Sequence, residues 1–145
     1  MKQLIPTGLV CLALVPAFAH ESATGIVKER MDAMKSVASA TKTIGQTLKG
    51  EMAYDAAILR EAAELITAGA RLIPALFPEN SLHKPTEATP AIWLEWDLFV
   101  KSAEEMGAAA RQLAETADDP GQVKSHFSDL AATCKACHNS YRIKQ

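Results

Sequence analysis

The sequence predicts an all-α protein, an antiparallel up-down-up-down four-helix bundle. Three observations carry this. Apolar residues recur at three-four spacing in four successive segments, and no alternating strand pattern competes with them. Each segment is about 20 to 26 residues, or roughly 30 to 40 Å of helix. The links are short except for one Pro-rich stretch, so neighbouring helices reverse direction.

The first segment runs from about Thr24 to Lys49, with Val27, Met31, Met34, Val37, Ala38, Ile44 and Leu48 on its stripe and Gly50 ending it. The second starts after Asp55, a good N-cap, and carries Ile58, Ala62, Leu65, Ile66, Gly69, Leu72, Ile73 and Leu76. Pro74 predicts a kink or stop near its end. "PENSLHKPTEAT" reads as the one long loop, with His83 solvated in it. Thr89-Pro90 predicts a cap and first turn for a third helix bearing Ile92, Trp93, Trp96, Phe99, Val100, Ala103, Met106, Gly107, Ala110 and Leu113. "DDPG" closes it, and Asp119-Pro120 opens a fourth. That stripe is Val123, Phe127, Leu130, Ala131, Cys134, Cys137, His138 and Tyr141, with His126 expected in solvent.

Residues 1–19 read as a cleaved signal peptide: a basic start, a short apolar run, then "PAFA" with a cut after Ala19. Removing 19 of 145 residues leaves a 126-residue chain from His20 to Gln145, a length suited to one domain. The expected location is the periplasm, a disulfide-permissive compartment. Without Lys2 the balance is 14 basic against 17 acidic residues. No basic run or aromatic-basic interleaving points to nucleic acid, and no later stretch is long enough to span a membrane. The acidic pairs Glu104/Glu105 and Asp118/Asp119 read as surface or capping groups, not an acid-base pair.

Two cysteines remain after the cut, and both lie in "CKACH", residues 134 to 138. On a helix the offsets of three and four put Cys134, Cys137 and His138 on one face. C-x-x-C-H is the haem c attachment pattern: two thiols add to porphyrin vinyl groups and the imidazole reaches the iron. A thioredoxin-like pair needs a βαβ context that is absent. A zinc site wants four ligands, and no second pair exists. A disulfide across this step would be strained on a helix.

"CKACHNSYR" in the last helix resembles the cytochrome c-prime family. So do "ERMDAMK" in the first helix, "KGEMAYDAA" at the first turn and "TPAIW" opening the third. The resemblance spans about Gly25 to Lys144. It implies one haem c between the first and last helices, with His138 as proximal iron ligand. It also implies Arg30 near the haem propionates and Arg142 near the proximal pocket. Most members have a non-ligating distal residue and a five-coordinate iron that takes up nitric oxide or carbon monoxide. In the cytochrome c-556 branch that position is methionine. Arg30 and the "KGE" turn align Met34 with it, while Met31, one turn earlier, falls to packing. Thioether sulfur suits haem iron, and a Met/His pair raises the reduction potential. The expectation is a one-electron carrier, not an enzyme, that exchanges electrons with redox proteins as a monomer or homodimer. The alternative is a five-coordinate gas binder.

Overall fold

The computed structural model describes residues 23–144, so the expected leader and its cleavage site lie outside the described residues. Helix α1 spans Gly25–Leu48 and buries Val27, Arg30, Val37, Ala40, Ile44 and Thr47. It ends in a Schellman turn. Gly50 takes φ 76°, its amide donates to Thr47 O, and the Glu51 amide reaches Gln46 O at 2.9 Å. Glycine reaches this left-handed conformation at no steric cost.

Helix α2, Ala56–Leu72, begins where the Asp55 carboxylate accepts the amides of Ala57 and Ile58 at 2.8 and 3.2 Å. Pro74 then starts a 3-10 turn, Pro74–Leu76, so the expected stop falls where the proline requires it. Two neighbouring apolar lines run along α2. Leu59, Ile66 and Ile73 are buried; Ile58, Leu65 and Leu72, expected on the core stripe, are 42%, 49% and 55% exposed.

The expected third helix is two. α3 is the single turn Ala91–Leu94, and α4 runs Trp96–Glu115; Glu95, at φ −126° and ψ 41°, breaks between them. Thr89 does not cap α3. Pro90 holds the cap position without a side-chain bond, and the Thr89 hydroxyl is buried with no partner. Helix α5, Pro120–Tyr141, opens on Asp119, which accepts the amides of Gly121 and Gln122 as expected.

α1 packs on α2, α2 on α4, and α4 on α5, while α1 and α5 touch only lightly. The core is one cluster in which Ile44, Leu59, Ile66, Ile92, Leu113, Val123 and Leu130 are fully buried, each worth about 1.5 to 3 kcal/mol. Among the described residues no helix is long and apolar enough to cross a membrane.

α1 and α2 meet tightly at Gly69, where an added β-carbon would sit 2.6 Å from Val37 Cγ2. Gly69→Ala gains helix propensity of about 1 kcal/mol, but overpacking costs about 1 to 3 kcal/mol. A lower midpoint in chemical unfolding is the expected result.

Candidate haem site

Helix α5 holds the C-x-x-C-H residues on its last two turns. Its inward line is Val123, Phe127, Leu130, Cys134, Cys137 and Tyr141. Val123, Leu130 and Tyr141 are buried, but Phe127, Cys134 and Cys137 are only half covered. Both thiols are unpaired and lie against the core cluster. Burial pushes both thiols upward, and for Cys137 the neighbouring Cys134 adds to this. They are therefore neutral thiols at neutral pH. Among the described residues no group of three His, Cys, Asp or Glu converges as an ion site.

His138 is exposed at the end of this face. Partial burial of its ring lowers its affinity for a proton. The Arg142 charge lowers it further, against a smaller opposing effect of Glu87. A neutral imidazole at neutral pH is the form that binds a metal. An open cavity beside it is lined by His138, Asn139, Arg142, Ile143 and Lys144. The donor set fits a haem: two unpaired thiols and a neutral imidazole flank an incompletely covered apolar face.

The resemblance puts the opposite wall of the haem site on α1. Positions 27, 30, 37, 40, 44 and 47 are buried, and Met34 is the half-covered position in that line. Its side chain lies against the core cluster. Met31 is half-buried one turn earlier. The helices are antiparallel and in register at Gly45 and Phe127, where a β-carbon on Gly45 would touch the Phe127 ring at 3.5 Å. Eleven residues back along α1 is Met34, and eleven residues on along α5 is His138. At 1.5 Å per residue both lie about 16 Å from that contact, at one level of the bundle.

Arg30 is buried at 5% exposure one turn before Met34. Its five N–H groups are matched by bonds to the α2–α3 link. Nε and Nη2 donate to Leu76 O at 3.1 and 2.9 Å. Nη1 donates to Ser81 O and Thr86 Oγ1 at 3.4 and 3.1 Å, and Nη2 donates to Ser81 Oγ at 2.8 Å. The guanidinium also stacks 3.9 Å over the Phe77 ring. The link, not a carboxylate, thus satisfies this buried cation, whose proton affinity burial lowers. Sequence reasoning placed Arg30 by resemblance alone and missed these partners, which lie 46 to 56 residues away.

Trp96 and Tyr141 pack on Phe99 at centroid distances of 5.7 and 5.2 Å, and Phe77 meets it at 4.9 Å. This cluster closes the same end of the bundle. Met106 is core, and His83 is exposed as expected. His126, expected in solvent, is only partly so: its Nδ1 is buried without a hydrogen bond, 3.9 Å from Asp129 Oδ2.

The bundle and its C-x-x-C-H turn define a c-type haem protein with one covalently attached haem. The chain belongs to the cytochrome c′ family, whose model, "Cytochrome C'", matches residues 25–142. It is 34% identical to a cytochrome c-556 of Agrobacterium tumefaciens, over 83% of this chain and 99% of the relative. It superposes on cytochrome c′ from Rhodopseudomonas palustris with a TM-score of 0.79 at 31% identity, covering 85% of this chain and 99% of the other. A nitric oxide complex of a point mutant of cytochrome c prime from Alcaligenes xylosoxidans matches with a TM-score of 0.73 at 30% identity, covering 82% and 94%.

Proposed function

We propose that this protein is an exported, periplasmic one-electron carrier whose iron takes His138 as proximal ligand and Met34 as distal ligand. Cys134 and Cys137 form the thioethers. The observation that supports this reading is that Met34 and His138 each lie eleven residues from the close approach of Gly45 and Phe127, on turns that are not fully covered. The haem supplies the one-electron couple of its iron. His138 presents a neutral imidazole. Met34 presents a neutral, soft sulfur that favours the reduced state and a high potential. A filled distal position also limits rearrangement between oxidation states. Redox proteins are the donor and acceptor in this reading.

The second reading is a five-coordinate gas binder. The Alcaligenes relative held with nitric oxide favours it. Absorption spectra of the purified protein in both oxidation states, before and after carbon monoxide, separate the two. A low-spin spectrum that changes slowly under carbon monoxide is expected. A high-spin ferrous spectrum with fast carbon monoxide uptake would establish the gas-binding reading instead.

A further inference from the structure

We propose that the α2–α3 link is a strap that sets the spacing between the two walls of the haem site, with Arg30 as its positioning residue. This rests on the Met34/His138 reading. α1 and α5 touch only lightly, so direct packing does little to hold these walls at a fixed separation. The link ties them instead. Arg30, on α1, holds Thr86 through its hydroxyl at 3.1 Å. The next residue, Glu87, is held from α5. Arg142 Nε donates to its Oε2 at 2.6 Å, and Arg142 Nη2 meets the same oxygen. The backbone repeats the grip. The Ile143 amide donates to Glu87 O at 2.8 Å, the Thr89 amide donates to Tyr141 O at 3.0 Å, and Ala88 and Arg142 form an antiparallel bridge. The Arg142 amide in turn donates to His138 O at 3.1 Å.

A continuous path therefore runs from the turn before Met34, through two adjacent link residues, to the turn that ends at His138. Ser81 Oγ stiffens the link from within by donating to Pro78 O at 2.6 Å. A buried charged donor with several neutral acceptors is costly to disturb, because each bond to it that is lost leaves charge unsatisfied. The strap thus favours the separation at which both axial residues reach one iron. Loosening it at either end lets α1 move away and frees the distal position without altering Met34.

The test uses the full haem-loaded chain. Ser81→Ala with Thr86→Val removes the hydroxyls that Arg30 grips and leaves Arg30 in place. Glu87→Gln weakens the other grip at a partly exposed position and serves where the first variant fails to fold. Carbon monoxide binding to the reduced protein is expected to accelerate about tenfold in either variant, the scale of one lost bond to a charged group. Amide exchange at Ile143 should quicken with it. Thr86→Ser keeps the hydroxyl and should restore slow binding to a chain with intact Ser81. Arg60→Ala removes the ion pair to Asp118, away from the strap, and should change neither rate. Variants that stay low-spin and bind carbon monoxide at the wild-type rate would overturn the strap alone. A wild type already high-spin would overturn the Met34 assignment and the strap's proposed role together.

Discussion

Met34→Ala is expected to convert a low-spin absorption spectrum to a high-spin one, lower the reduction potential and open the iron to carbon monoxide. Met34 is the half-covered position on a buried line, and it lies as far along α1 from Gly45 as His138 lies along α5 from Phe127. Alanine leaves nothing on α1 at that position that can donate to iron. The potential should fall on the order of 100 mV, within the roughly 0.8 V over which axial ligands move haem potentials. The ferrous protein should bind carbon monoxide at least about tenfold faster, a change equivalent to about 1.4 kcal/mol. Stability should suffer less than at a fully buried methionine, where truncation costs about 2 to 5 kcal/mol. Met31→Ala is the matched control and should keep the low-spin spectrum. The reverse pattern would shift the ligand by one turn.

The helix ends were legible in the sequence because their causes are local. Asp55 and Asp119 cap through their own next two or three amides, and Gly50 supplies the one left-handed residue that a Schellman turn needs. That Cys134, Cys137 and His138 share one stretch of α5 was legible for the same reason, since their offsets of three and four are local to one helix. Which of two adjacent apolar lines on α2 faces inward was not legible. Ile58, Leu65 and Leu72 share a period of seven with Leu59, Ile66 and Ile73, and only the neighbouring helices decide between them. Nor was the break at Glu95, where neither glycine nor proline marks the chain and Tyr141 Oη comes within 3.3 Å of the carboxylate from another helix. The strap was hidden for a related reason. "PENSLHKPTEAT" looks like a solvated loop, yet its order comes from Arg30 and from backbone pairing with residues 141–143, both far away in sequence.

Removing both thiols tests the other half of the site. With Cys134→Ala and Cys137→Ala together, haem should leave the protein on denaturation in acidified organic solvent, whereas the wild type keeps its colour in the polypeptide fraction. Each single variant retains one thioether and should keep the colour, with a shifted absorption band. The bundle itself should persist. Leu130 and Tyr141 anchor this stretch of α5 in the core, and both cysteines are only half covered. Truncating a half-covered cysteine to alanine opens little cavity, so the expected loss of stability is about 1 kcal/mol per site. Far-ultraviolet circular dichroism should therefore stay helical while the haem becomes extractable. A variant that loses haem and helix together would mean that α5 folds only around the cofactor. A double variant that still retains haem after extraction would remove the thioethers from the assignment.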